Sequence, residues 1–231
     1  MSSMEGLVGQ WTVGSDAEIT TPAFGSVVSA KNGTPTYVDG KFGNGMACTS
    51  SGDYARLTIG GGFTNADAGT IEYWWRKTTT NPNGYIGHTG DITAGTDLRV
   101  LIVAYTGDLT FQFYYGGGSV LHSHVESYTG FADGEWVHLA ITWNRLGIAG
   151  GSDTSRFYVN GVAVSTSTAT VASWSMPVGW YYTFGNASDG TAPISANANS
   201  YVDNLKIYQV EKTDYSDRFI EFFGGQKMRT T

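Results

Sequence analysis

The sequence predicts an all-β protein of two packed sheets, and three observations predict it. Short runs rich in Val, Ile, Tyr, Phe and Trp are separated by glycine-rich punctuation at Gly60-Gly61-Gly62, Gly116-Gly117-Gly118 and Gly150-Gly151, the pattern of strands joined by turns. Several of these runs alternate apolar and polar residues, the period of a strand with one buried face. Eleven such segments can be marked along the chain, which fits two large sheets better than a small barrel.

Taken in order, the predicted strands are Leu7–Val13, Tyr54–Ile59, Thr70–Lys77, Leu98–Tyr105, Leu109–Tyr115, Val120–Ser127, Trp136–Asn144, Arg156–Val159, Val162–Ser167, Trp180–Phe184 and Tyr201–Val210. Gly107-Asp108 suggests a hairpin between Tyr105 and Leu109. In Trp136–Trp143, Val137, Leu139, Ile141 and Trp143 share one face, which is core, while Trp136, His138, Ala140 and Thr142 share the other. Asn160-Gly161 between two strands tolerates the positive φ angles of a type I′ turn. After Lys212, Thr213 or Asp214 can cap a helix whose Tyr215, Phe219, Phe222 and Phe223 form one apolar stripe ending at Gly224-Gly225. Residues 1–225 are expected to form one domain and 226–231 a polar, basic tail, loose or held by a neighbour.

With 231 residues, 41% hydrophobic and only 14% charged, the chain is expected to fold around one large core. Thirteen Lys+Arg against 20 Asp+Glu give a net charge of −7, which disfavours binding to nucleic acid or to anionic lipid surfaces. No apolar run is long enough to span a bilayer, and Met1–Gly14 lacks the features of a signal peptide. The expectation is a protein made in the cytoplasm and located on a virion or other extracellular particle. Cys48 is the only cysteine; it excludes an intrachain disulfide and a thiolate metal cluster and is read as a small buried hydrophobe.

Six blocks in sequence resemble a laminin G-like domain of the concanavalin A-like lectin and glucanase superfamily. Gly6-Leu7-Val8-Gly9-Gln10-Trp11 is similar to its opening strand. Val38-Asp39-Gly40-Lys41-Phe42-Gly43-Asn44-Gly45-Met46 followed by Gly52–Leu57 is one block, which resembles its G-K-F-G-N-A, then D-Y-V, pattern. Thr70–Arg76 resembles the F-T-I-S-F-W-V strand, Glu135–Trp143 the W-H-H-V-A-V-T-Y strand and Phe157–Val162 the L-Y-V-N-G hairpin. Tyr201–Tyr208 resembles the closing I-D-E-V-R-I-Y strand. The resemblance implies a two-sheet antiparallel jelly-roll sandwich, first and last strands adjacent, with a short C-terminal helix. It also implies a structural Ca2+ where the closing strand's aspartate, here Asp203, meets the opening strand; the nearest carboxylate there is Asp16.

The glucanase motif Glu-x-Asp-x-x-Glu, which supplies acid and nucleophile, is absent: none of the seven glutamates has the required partners. The best acid–base pair this chain offers is Glu72 with His138, and neither is expected in a deep cleft with a second carboxylate. His122-Ser123-His124 puts two imidazoles on one strand face, where His88 or Glu126 can complete a metal site and a solvent-facing alternation explains the pair as well. Among the aromatics Trp74, Trp174, Trp180, Tyr181 and Tyr182, the loop residues Trp174, Trp180 and Tyr181 are the candidates for stacking on sugar rings; packing accounts for the rest. The resulting expectation is a non-catalytic interaction module, a structural or decoration protein of an assembly such as a bacteriophage virion, with other subunits and glycans as partners. The alternatives are a free carbohydrate-binding lectin and, third, a glycan-active enzyme.

Overall fold

The computed structural model describes residues 5–25, 30–32, 34–48, 54–59, 67–78, 84–89, 99–115, 119–170, 181–185, 199–223 and 226–230. In chain order the strands are β1 (Leu7–Trp11), β2 (Ala30–Asn32), β3 (Thr36–Asp39), β4 (Asn44–Cys48), β5 (Tyr54–Thr58), β6 (Ala68–Lys77), β7 (Gly84–Thr89), β8 (Arg99–Tyr105) and β9 (Asp108–Tyr115). They continue as β10 (Ser119–Ser127), β11 (Val137–Asn144), β12 (Ser155–Val159), β13 (Val162–Ser167), β14 (Tyr181–Gly185), β15 (Ser200–Tyr208), β16 (Ile220–Phe223) and β17 (Gln226–Thr230). One sheet runs β13-β12-β11-β6-β15-β4-β3, with β1 also on β15; the other runs β10-β9-β8-β7-β14-β5-β2. Every pairing is antiparallel. The two sheets make the expected jelly-roll sandwich, and the pairing of β1 with β15 puts the first strand beside the closing strand of the main sheet.

The core lies between the sheets. Ile71, Tyr73 and Trp75 of β6 and Val137, Leu139, Ile141 and Trp143 of β11 face inward against Val100, Ile102, Phe111, Phe113, Tyr182 and Phe184, all at most 1% exposed. The inward face of β11 is the one that its alternation predicts. Asn160 and Gly161 both take positive φ, 51° and 84°, as the turn between β12 and β13 requires. The β8–β9 turn is Thr106-Gly107, also at positive φ, with Asp108 already paired to Tyr105.

The sequence pattern does not announce β2, β3, β4, β7 or the single-turn α1 (Asp16–Thr20). In β7 (Gly-Tyr-Ile-Gly-His-Thr) two glycines mask the strand. Gly87 has a packing reason, since a Cβ there would lie 2.3 Å from the Tyr182 hydroxyl. α1 starts where Ser15 accepts from Glu18 N–H at 3.2 Å, while Glu18 accepts from Gly14 N–H at 2.8 Å, a local pairing of capping-box type.

The expected C-terminal helix is corrected. Ser216–Phe219 makes only a 3-10 turn, and the chain then continues as β16, paired with β17 in a two-stranded sheet of its own. Residues Gln226–Thr230, expected as a tail, are that second strand. The apolar spacing reflects docking rather than helical periodicity: Tyr215 packs on Tyr158 and Phe219 on Trp74. Two carbonyls that a helix needs, those of Arg218 and Ile220, accept instead from Trp74 Nε1 and Lys206 Nζ of the sheet. Among the described residues no helix is long and apolar enough to cross a membrane.

Candidate functional site on the outer face of the first sheet

The face of β6 opposite the core carries Thr70, Glu72, Trp74 and Arg76, because successive side chains alternate. Register with β11 and β15 builds these into rows across three strands. Ala140–Glu72–Lys206 and His138–Trp74–Asp203 are two rows, Thr142–Thr70–Tyr208 is a third, and Trp136 and Tyr201 flank Arg76 in the fourth. In β15 the alternation has to change phase for Asp203 and Lys206 both to face outward. A bulge does this at Asn204, held at φ 51°, which asparagine tolerates; Gln10 Nε2 donates to its Oδ1 at 2.7 Å.

Three of the four rows are sealed by the chain that follows β15. Lys212 N–H donates to the hydroxyls of Thr70 and Thr142, at 2.9 and 3.1 Å. Lys212 Nζ lies 2.9 Å from Glu72 Oε2 and 2.7 Å from Asp217 Oδ1. Glu72, 1% exposed, also has Lys206 Nζ at 3.4 Å and accepts from the Tyr208 hydroxyl at 3.3 Å. Burial pushes the Glu72 carboxyl up, but the ammonium groups of Lys212 and Lys206 outweigh it and hold the group down to about 2. Burial pushes His138, 3.9 Å from Glu72, down to about 3 despite that carboxylate. Glu72 and His138 are buried rather than set in a cleft, and Lys212 links Glu72 to a second carboxylate, Asp217. The pair is nevertheless unsuited to glycoside hydrolysis, which needs one protonated carboxyl and access to substrate: Glu72 is ionised and covered. A cleft of about 260 Å³ opens at the edge of this segment, lined in part by Tyr208, Lys212, Asp214 and Asp217.

The fourth row stays open. Arg76, Trp136 and Tyr201 are each half-buried. The Arg76 guanidinium carbon lies 4.8 Å from the Trp136 ring centre and 4.5 Å from that of Tyr201, within cation–π range of both. The indole reaches the backbone of β4, where a Cβ on Gly45 would come within 3.3 Å of it. Beside it Lys41 Nζ lies 4.7 Å from the Trp74 ring centre, on an indole that the C-terminal segment buries to 3% exposure. Alternation along the two strands puts Arg76 on the face of Glu72 and Trp136 on that of His138; Tyr201 and the bridging residues Lys206, Lys212 and Asp217 are found only through register and the path of the C-terminal segment.

The other sequence candidates fall elsewhere. Tyr181 is on the outer face of the second sheet and only 5% exposed, with the Arg56 guanidinium 3.7 Å from its ring centre, so too little of the ring is accessible to stack on a sugar. Trp174 and Trp180 lie outside the described residues. Tyr182 is core. His122 and His124 face inward, opposite Phe113 and Phe111, rather than toward solvent. His124 is bonded at 2.9 Å to Ser165 Oγ and at 2.8 Å to Ser155 Oγ, and burial pushes it down to about 3. Asp203 Oδ2 accepts from Phe42 N–H at 2.8 Å, and Asp16 accepts from the Tyr37 hydroxyl. Among the described residues no three His, Cys, Asp or Glu side chains gather as metal ligands.

A family model described as the concanavalin A-like lectin/glucanases superfamily, a laminin G family, matches residues 49–215. The chain belongs to this family. The match excludes the Gly6–Trp11 and Val38–Met46 blocks, although β1 and β4 both pair with the closing strand. No curated protein matches the sequence. Among solved structures, the fold is similar to the botulinum neurotoxin serotype D binding domain (TM-score 0.63, 11% identity, 89% of this chain and 49% of that one). It is also similar to the binding domain of botulinum neurotoxin DC in complex with SialylT (TM-score 0.63, 15% identity, 90% and 48%). A third is domain 4 of AbnA, an extracellular arabinanase from Geobacillus stearothermophilus, in complex with arabinotriose (TM-score 0.57, 17% identity, 89% and 93%). The chain spans about half the length of the neurotoxin domains. At these identities the likeness establishes the fold.

Proposed function

We propose that the protein is a non-catalytic, glycan-binding module. The observation that carries this reading is the open row of Trp136, Arg76 and Tyr201 at the end of a sheet face on which the acid–base pair Glu72–His138 is charge-neutralised and covered. Aromatic rings at the edge of a sealed surface supply apolar contact for a sugar, and a fixed guanidinium supplies hydrogen bonds. The similar folds solved with SialylT and with arabinotriose support a saccharide ligand. The test is a glycan array followed by titration of the best ligand. Trp136→Ala is expected to weaken binding at least about tenfold, the order of one lost ring contact, with an unchanged thermal midpoint. Trp180→Ala is the control for the loop location: loss there with Trp136→Ala unaffected moves the site to the loops, and silence across a broad array removes the reading.

A second reading is a subunit of a larger assembly such as a virion, with the module on the particle surface. The separate β16–β17 sheet favours it, since a two-stranded ribbon is marginal alone and gains from added strands. Sedimentation of the native particle tests it; a protein found only as a free monomer counts against it.

A further inference from the structure

Arg76 is placed unlike the arginines that the described surface closes with carboxylates. Arg145 is met by Asp67 through two bonds, at 2.7 and 2.9 Å, and Arg156 by Asp153 at 2.9 Å. Arg76 has two aromatic walls instead, and its Nε is buried with no hydrogen-bond acceptor among the described residues. Asp203, in the next row of the face, accepts from Phe42 N–H of the β3–β4 hairpin through its Oδ2. Lys41 adds a second cation one row away, over Trp74 and Phe219, with no ion pair among the described residues. A chain of net charge −7 thus presents a half-buried guanidinium between two rings at the open end of this face. A guanidinium whose plane is held by flanking rings is pre-organised for a planar carboxylate, because little rotamer freedom is lost when the two-pronged bond forms.

We propose that the Trp136–Arg76–Tyr201 row is a subsite for a sugar residue that carries a carboxylate, with Arg76 taking the carboxylate and the Trp136 indole lying along the ring. The inference rests on the glycan-binding reading and adds the charge class of the ligand. The sugar acid can be a sialic acid or a uronic acid; both present a carboxylate on a pyranose ring. A neutral sugar offers the Arg76 donors only hydroxyl acceptors, which bond more weakly than a carboxylate and cannot take the two-pronged bond.

The experiment is calorimetric titration of the intact protein with two ligand pairs, 3′-sialyllactose against lactose and tri-galacturonate against its methyl ester. The expected result is that the acidic member of at least one pair binds about tenfold more tightly or better. The advantage shrinks as salt rises from about 50 to 500 mM, through screening. Arg76→Gln is expected to abolish the difference between the acidic and neutral members of that pair. The pair that shows the advantage identifies the source of the acid. Equal affinity for acidic and neutral members, lost in Trp136→Ala, overturns the inference and leaves glycan binding standing. An acid preference that survives in a folded Arg76→Gln also overturns it. Absence of binding to all four ligands and across a broad array overturns both. The wild-type comparison of an acid with its methyl ester needs no variant, so the inference stays testable if Arg76→Gln does not fold.

Discussion

Replacing Glu72 by Gln keeps the shape of a side chain that is 1% exposed and removes the charge facing Lys206 at 3.4 Å and Lys212 at 2.9 Å. Two ammonium groups are then left facing a neutral amide. The expected cost is about 3–5 kcal/mol, typical of breaking a buried ion pair from one side, measured by urea denaturation. The same residues set the acid limb of stability. Glu72 stands at about 2 when folded against 4.5 ordinarily, and His138 at about 3 against 6.5. Both are depressed, so the unfolded chain binds more protons and stability is lost on acidification. The His138 contribution is complete above pH 6.5 and falls away toward pH 3; that of Glu72 is complete above 4.5 and falls away toward 2. The thermal midpoint is therefore expected to be flat above pH 7 and to begin falling near pH 6.5, with His124 adding to the slope in the same window. His138→Phe, which keeps a ring against Trp74 and Tyr215, should make the decline between pH 6.5 and 4.5 shallower. A midpoint constant down to pH 5 contradicts this account.

At the scale of elements, β7 makes the sharpest prediction. Gly87 faces the Tyr182 ring of β14 so closely that an added methyl meets the hydroxyl, Cζ and Cε1 within 2.7 Å. Gly87→Ala is expected to cost about 1–3 kcal/mol through overpacking, read as a lower urea midpoint with an unchanged m-value. This glycine also shows why β7 was illegible in the sequence: the packing that requires it belongs to another strand far along the chain. β4 (Asn-Gly-Met-Ala-Cys) was hidden in the same way, with Gly45 giving room for Trp136. β6, β11, β12 and β13 were legible because their alternation and the Asn160-Gly161 turn are local. The helix assigned after Lys212 failed because apolar spacing alone does not say whether Tyr215 and Phe219 share a helical face or dock one after another onto Tyr158 and Trp74. The open row was half legible. Alternation aligned Glu72, Trp74 and Arg76, whereas Tyr201 joins them only through the β6–β15 register.

At the scale of the molecule, a sandwich of the lectin and glucanase superfamily uses its C-terminal segment to close the face on which Glu72 and His138 lie, and leaves one end of that face open. The closed rows are charge-balanced and covered; the open row is aromatic and cationic. The most direct test is a ¹H–¹⁵N spectrum of the seven tryptophan indole N–H groups during titration with the tightest oligosaccharide from the array. Trp136 is assigned through Trp136→Phe and Trp74 through Trp74→Phe. The account predicts that the Trp136 indole signal moves in proportion to ligand bound while that of Trp74, donating to the Arg218 carbonyl under the C-terminal segment, stays in place. Saturable binding that shifts the Trp174 or Trp180 signal and leaves Trp136 unmoved contradicts it.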